Sequence, residues 1–574
     1  MKILIKRRLL IASIILIIFV SVSFLSLLVR QTGFDDVSKN ITTGDFKNYL
    51  KNSNNTSINK AIEEYNLDNN DLMTCLSECI MNEDEKEKIN EVMAKLLLES
   101  FQRDIPVEDF ISLRQREEAH TALWNIVFSK DGEKNGFDKE TLIEKSSFLV
   151  QKDLDELPLI QKMLATLHQS LYPWVYNHQF KSFKDIIENI EGRGIVMCVG
   201  NHHFNFARSA IDTLRYVVKT KLPIEIFYNG DNDLSENKRK ILSDFSDVYI
   251  TDISNYFDNK VINLGGWAIK PFSILASRFE EVILMDADSV YIRDPAVLFE
   301  DEGYIQKGTV FFRDRTLFPG SHPGSKWLKS WMFDPLPETK ELRYWQEITS
   351  HEMESSTVVI NKTKNILGLL NVCKLNEQKV RDDVVYKYVH GDKETFWIGF
   401  DMSRQPFNMI PKPSVMVGEL SVGEAGDEPD ERQICGHVGH TTRDGKVLFW
   451  NDHIVKDKNN EKYKDRLLRF EAYFVEDGEG EWPNFHCQNL NIEDKGKGNP
   501  SGKEPEKFDE DERKILDEIV KREKEHRYVT KPRKDEDKQE DKNEKEKSEK
   551  EKSEKEKSEK EESEKENNEK DETR

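Results

Sequence analysis

The run Glu281-Val-Ile-Leu-Met-Asp-Ala-Asp-Ser-Val-Tyr-Ile-Arg-Asp-Pro295 carries an apolar stretch into two aspartates, Asp286 and Asp288, with one alanine between them. Side chains alternate along a strand with period two, so both carboxylates belong to one face at its carboxyl end. Two hard oxygen ligands in that position suit Mn²⁺ or Mg²⁺ and leave coordination positions open for a nucleotide diphosphate. The crevice beyond the carboxyl ends of an open α/β sheet is where such ligands bind. The plainer alternative is a strand followed by an acidic turn. The apolar approach, the mixed strand after the pair and the Asp294-Pro295 stop favour the metal reading.

Further candidates flank this pair. Gly200-Asn201 follows the apolar run Gly194-Ile-Val-Met-Cys-Val-Gly200, where a strand-end crevice admits a base and ribose, unless the two residues are only a turn glycine and a capping asparagine. Lys270 offers a point charge to phosphates, or is simply a lysine at a helix end. Glu354 precedes a β-branched strand, and Asp392-Lys-Glu-Thr-Phe-Trp397 crowds Asp392, Lys393 and Glu394 against aromatic rings. Carboxylates beside aromatic faces recognise pyranoses, because C–H faces stack and hydroxyls donate to the acids. Ordinary salt-bridged loops are the alternative for both clusters.

Positioning such groups requires a sheet. From Arg193 to about Cys487, short apolar runs alternate with longer helical patterns, which predicts an α/β domain with a mainly parallel sheet and helices on both faces. Residues from about 110 to 190 read as amphipathic helix packed on that core, giving a folded region over 111–490. Residues 30–110 are rich in Asn, Asp, Lys and Glu with intermittent helical periodicity, and read as a stem. From 491 to 574 the chain is a charged low-complexity tail with a five-residue repeat marked by Ser548, Ser553, Ser558 and Ser563. Almost nothing there can be buried, so disorder is expected, with a solvated helix built on i,i+4 Glu–Lys pairs as the alternative.

The amino terminus bears on compartment. A basic segment, residues 1–8, precedes an uncharged run over 9–29, long enough at about 1.5 Å per residue to cross the ~30 Å hydrocarbon layer. We read it as a signal anchor rather than a cleaved signal peptide, with the remainder lumenal by the positive-inside bias. Lumenal exposure suits the acceptor triplets at Asn40, Asn54, Asn55 and Asn361 and leaves the six cysteines free to pair, with no pairing readable from spacing. A net charge of -22 argues against a nucleic-acid partner.

Five segments occur in order: Gly192-Arg-Gly-Ile-Val-Met-Cys-Val-Gly-Asn201, Leu222-Pro-Ile-Glu-Ile-Phe-Tyr-Asn-Gly-Asp-Asn-Asp-Leu234, Gly266-Trp-Ala-Ile-Lys-Pro-Phe272, Arg278-Phe-Glu-Glu-Val-Ile-Leu-Met-Asp-Ala-Asp288 and Asp392-Lys-Glu-Thr-Phe-Trp397. Together they resemble the yeast Golgi α-1,3-mannosyltransferase family, glycosyltransferase family 71, over roughly residues 115–460. The resemblance implies a GT-A-like fold, GDP-mannose as donor, Mn²⁺ as cofactor and retention of anomeric configuration. It further implies mannose-terminated N- or O-linked glycans of secreted or cell-wall proteins as acceptors, a type II Golgi membrane location and association with other Golgi glycosyltransferases. By the same resemblance a late histidine completes the metal site, and His440 matches that place better than His437. The chain departs from the family in having Ser356 where a glycine is usual and a shorter apolar approach to His440. In this reading the metal, Lys270 and Lys393 stabilise the departing diphosphate, a nearby carboxylate stabilises C1, and Asp392 or Glu394 orients acceptor or donor hydroxyls. An α-1,2-mannosyltransferase, another nucleotide-sugar transferase, or a catalytically silent glycan-binding scaffold of the same fold are the alternatives.

Overall fold

The computed structural model describes residues 97–129, 137–176, 178–422, 432–460, 466–475, 486–490 and 504–530. The expected anchor, Asn40, Asn54, Asn55, Cys75, Cys79 and the serine-marked repeat lie outside the described residues. Among the described residues no helix is long and apolar enough to cross a membrane.

Strands β1 (Arg193–Cys198), β2 (Ile224–Tyr228), β3 (Val248–Asp252) and β4 (Glu281–Met285) pair in parallel. The short β5 (Val290–Tyr291) leaves this sheet, which is completed by β6 (Thr309–Arg313) and β7 (Met353–Asn361). The order is β3-β2-β1-β4-β7-β6, with β7 antiparallel to both neighbours. The expected α/β class and mainly parallel sheet are therefore present.

The strand sequences are continuous apolar runs because both faces are covered, and their period two shows in where they pack. Ile195, Met197, Ile283 and Met285 face one hydrophobic core. Their neighbours Val196, Val282 and Leu284 face the other. On that second side lie α1 (Phe110–Phe128), α2 (Leu159–Leu171) and, further along the chain, α4 (Ile269–Ala276), α5 (Ile366–Leu375) and α6 (Lys393–Met402). On the first side lies α3 (Phe204–Asp212). The amino-terminal helices pack on the core as expected: Arg114 of α1 reaches the Asp334 carbonyl at 2.7 Å, and Trp174 donates to Glu377 at 3.1 Å.

A second, antiparallel sheet has the order β11-β8-β9-β10-β5, from β8 (Val415–Val422), β9 (Arg432–Thr441), β10 (Val447–Trp450) and β11 (Ala472–Val475). The expected hairpin after His440 is β9–β10, turned at Gly445, whose φ of +86° favours glycine. β12 (Cys487–Asn489) pairs with β9, and Cys435 and Cys487, directly opposite each other, form a disulfide.

Two expected boundaries move. Phe101 is buried in the core, so the folded region begins before residue 111 and the stem is shorter. At the other end, residues 504–530 are not part of a structureless tail. They contain α7 (Glu510–His526), opened by a reciprocal cap between Asp509 and Glu512. Leu516 and Ile519 of α7 are buried with Trp450, Tyr473 and Phe508. Arg522 pairs with the buried Asp212 at the end of α3, with Nη2 to Oδ1 at 2.8 Å. Asn361 ends β7 half-exposed, its side-chain oxygen accepting from the Lys364 N–H at 2.9 Å, with Thr363 of the same acceptor triplet buried.

Candidate functional site

β4 ends at Met285, and the Asp286 N–H donates to the Ser356 carbonyl at 2.8 Å, which fixes the rim where β4 and the start of β7 meet. Lys270 rises from α4 into this rim. Its ammonium lies 2.8 Å from Asp286 Oδ1, 3.3 Å from the Ser355 carbonyl and 4.0 Å from Asp392 Oδ2. Burial alone would favour neutral Lys270, but Asp286 and Asp392 hold its pKa above the ordinary lysine range. Asp286 is pushed above the usual carboxylate range by burial; Lys270 opposes this and the nearby charge of Asp288 adds to it. A quarter of the Asp286 side chain remains exposed, so water moderates the shift. Asp392 caps α6 at 3% exposure, accepts from Ser355 Oγ at 3.3 Å through Oδ1, and has no hydrogen-bond partner at Oδ2.

Asp288 meets groups the sequence did not single out. β5 follows Asp288 directly and pairs with β10, Trp450 opposite Val290, so residues 451–458 emerge beside Asp288. The His453 N–H donates to the Asp288 carbonyl at 2.8 Å. Lys458 bonds the Asp288 carboxylate and, at 2.6 Å, Asp452. No local pattern marks Lys458; only the β5–β10 pairing reveals it.

The remaining expected residues divide. Glu354 belongs to the cluster: its charge acts on both Lys270 and Asp286. Half-buried, it is held below the ordinary glutamate range, against the opposing effect of burial, by His440 and by Ser356, whose N–H donates to it at 3.0 Å. Glu394 does not face the site. It is fully buried, accepting from the Glu352 N–H at 2.9 Å and Trp397 Nε1 at 2.6 Å, and serves as an internal tie for the start of β7. Lys393 pairs with Asp314 at 2.6 Å. A Cβ at Gly200 would meet Asp233 Oδ1 at 2.5 Å and displace that carboxylate, and the Asn201 side-chain oxygen accepts from the Ser235 N–H at 3.2 Å. This pair clasps the end of β1 to the turn after β2.

His440 is a second correction. Its ring lies between Phe312 and Phe449, centroids 5.2 and 4.8 Å away, and its Nε2 is 3.4 Å from Glu354 Oε2 rather than on either aspartate. Among the described residues no three His, Cys, Asp or Glu side chains converge as a cation site. Asp286 and Asp288 offer the right oxygens for Mn²⁺ or Mg²⁺, but Lys270 holds one and Lys458 the other. In this arrangement the residues do not fit a resident divalent cation.

Residues 192–442, which carry this rim, match the family described as "Mannosyltransferase putative". Over that segment the chain is similar to this family. It is 27% identical over 356 residues to "Putative alpha-1,3-mannosyltransferase MNN1" of Candida albicans, covering 52% of this chain and 43% of the relative. It is 24% identical over 357 residues to "Alpha-1,3-mannosyltransferase MNN1" of Saccharomyces cerevisiae, covering 50% of this chain and 46% of the relative. The chain thus spans about half the length of these curated relatives. Among solved structures, the mannosyltransferase Ktr4p from S. cerevisiae overlaps with a TM-score of 0.27 at 11% identity, over 50% of this chain and 81% of that one.

Proposed function

We propose that this protein is a retaining, GT-A-type glycosyltransferase that moves mannose from GDP-mannose to mannose-terminated glycans, forming α-1,3 linkages. One observation carries the proposal: Asp286 of the Asp-x-Asp pair after β4 is held by Lys270, which Asp392 also approaches, with the charges of Glu354 and Asp288 acting on Asp286, inside the segment that matches the mannosyltransferase family. The relatives' printed names support the sugar and the linkage.

The chemistry follows from charge. As the C1–O bond to phosphate breaks, negative charge grows on the diphosphate and positive charge on C1 and the ring oxygen. Lys270 is the ammonium that meets the first, and Lys458 is the second cation at the rim. Glu354, kept ionised by His440 and Ser356, answers the charge at C1. Asp392, buried with Oδ2 4.0 Å from the Lys270 ammonium, holds that cation in place. The leaving phosphate oxygen takes the acceptor's proton as the new C1–O bond forms on the same face, so no separate base is needed. The expected Mn²⁺ enters no step here, and its requirement is an outcome to be measured.

The same proposal includes type II Golgi residence with a lumenal catalytic region. The Cys435–Cys487 disulfide supports an oxidising compartment, and the uncharged run over 9–29 supports an anchor. The test is transfer by the full chain from a panel of nucleotide sugars to mannobiose, with and without Mn²⁺, and linkage analysis by NMR. Transfer from GDP-mannose is expected, strongly reduced in Asp286→Asn. Failure with every donor, or full activity in Asp286→Asn, would refute it.

A further inference from the structure

On the face of the sheet that α4 covers, beside β2 and the edge strand β3, lies a cavity of about 290 Å³ that shares no residue with the rim. α4 separates the two. Lys270 in its first turn faces the rim, whereas Ala276 and the capping Ser277 wall the cavity, roughly 10 Å further along the axis at 1.5 Å per residue. That wall is fixed from behind by the buried Lys362, whose ammonium donates to the Ser277 carbonyl at 2.6 Å.

Glu225 lines the cavity from β2. Its neighbours Ile224 and Ile226 face the opposite core, so its own side chain lies on the α4 side, at 1% exposure, where the next residue on that face is Phe227. A carboxylate in such a place has to be held against its desolvation. Thr251 Oγ1 donates to Oε1 at 2.6 Å, the Arg278 guanidinium lies 3.3 Å from the same oxygen, and the Arg278 N–H donates to Oε2 at 2.9 Å. A carboxylate has about four acceptor positions, so three donors leave one for the cavity. Across from it stands Tyr256, half-buried and packed edge-on against Phe180 at 5.4 Å, and the exposed Gln179 and Asn189 line the open side.

These groups select the ligand. An anion is repelled, because Asp185 and Glu225 line the cavity while the Arg278 guanidinium is engaged by Glu225 and by the Tyr249 ring, 4.0 Å away. A bare cation finds Asp185 already accepting the N–H groups of Lys181 and Ser182 at 2.7 and 2.9 Å. An aromatic face, two side-chain amides and a spare carboxylate position suit a neutral pyranose, whose C–H face stacks and whose hydroxyls donate and accept.

We propose that this cavity is a second carbohydrate site, which holds a hexopyranose unit without acting on it and retains a long glycan while another part of that glycan reaches the rim. That the sugar is mannose rests on the transferase reading above; the sugar site itself does not.

The test uses the full chain, α-mannotriose and hydrogen-exchange mass spectrometry, which locates bound sugar independently of transfer. Mannotriose is expected to slow exchange over 179–190 and 253–257 by about threefold or more. Asn189→Trp, which sets a large ring on an exposed lining position, is expected to abolish that protection and to raise KM for a long mannan by about fivefold, with kcat and transfer to mannobiose unchanged. The double variant Gln179→Ala, Asn189→Ala, which removes both amides from exposed positions, serves if the tryptophan disturbs folding. Protection confined to the rim, or none at any mannotriose concentration, overturns the inference and leaves the transferase reading standing. Cavity protection that survives both variants overturns the assigned lining, and an unchanged mannan KM in both overturns the retaining role. Cavity protection in the native chain, lost in the variants, without transfer from any donor supports the sugar site and refutes the transferase reading.

Discussion

Replacing Asp212 with alanine tests whether the carboxyl-terminal helix is part of the folded domain. Asp212 is 3% exposed and accepts from Arg522 at Nε and Nη2 and from the Tyr528 hydroxyl at 3.1 Å. Removing one partner of a buried, hydrogen-bonded ion pair costs about 3–5 kcal/mol, because the other charge is stranded. Arg522 keeps 21% of its side chain exposed and lies over the Tyr216 ring, so it regains some hydration and the lower end, about 3 kcal/mol, applies. The loss falls on one docked helix, so it appears as local opening rather than a large drop in melting temperature. At about 1.4 kcal/mol per tenfold, amide protection over 510–526 should fall by about 100-fold in hydrogen-exchange mass spectrometry, with the central sheet unchanged. Protection within threefold of the native chain would refute the docking energetics. A chain ending at 530 should keep native protection, whereas one ending at 490 should expose the surface under Leu516 and Ile519.

Lys270→Met should lower transfer by roughly 10–100-fold, the value of about 1.5–3 kcal/mol for a charged hydrogen bond, read from kcat/KM with GDP-mannose. Undiminished transfer would remove Lys270 from the diphosphate role. Cys487→Ser opens a link across 52 residues and should cost about 4 kcal/mol by the chain-entropy estimate, seen as a lower denaturant midpoint than the native chain and no further effect of reductant. Glu117 is buried, and burial raises its carboxyl to about 7, with Tyr172 donating to it at 2.7 Å. The folded state then binds more protons than the unfolded state between about pH 4.5 and 7. Its stabilising contribution is complete below the unfolded pKa and is lost as pH rises through 7, on the order of 3 kcal/mol. Glu117→Gln should flatten that decline in urea midpoints across the same range; an unaltered slope would assign it to other groups.

Much of the central sheet was legible because its physics is local. β1 and β4 carry continuous apolar runs, Ile195 to Cys198 and Val282 to Met285, since both faces are covered, and Asp286 follows β4 directly at its carboxyl end. Lys270, Glu354 and Asp392 also come together as their chemistry suggests. The residues that went astray depend on helix phase or distant pairing. Glu394 sits one residue from Lys393 on α6, and composition cannot tell which of them turns inward. His440 reads as a ligand by type, yet Phe312 and Phe449 set its ring against Glu354. Lys458 reaches Asp288 across 170 residues through the β5–β10 pairing, and Arg522 reaches Asp212 across 310. The charged character of α7 hides the narrow stripe, Leu516 and Ile519, by which it docks.

The reversed direction of β7 has a consequence for how such a centre can change over time. Because β7 runs against β4, its opening residues, Met353 to Ser356, arrive at the rim where β4 finishes, and Glu354 needs no excursion of chain to meet Asp286. A single residue gained or lost within β7 before Thr357 would turn Glu354 through the plane of the sheet to its other side. Length variation among natural versions should therefore gather in the 314–352 connection, leaving the spacing from Glu354 to Thr357 untouched.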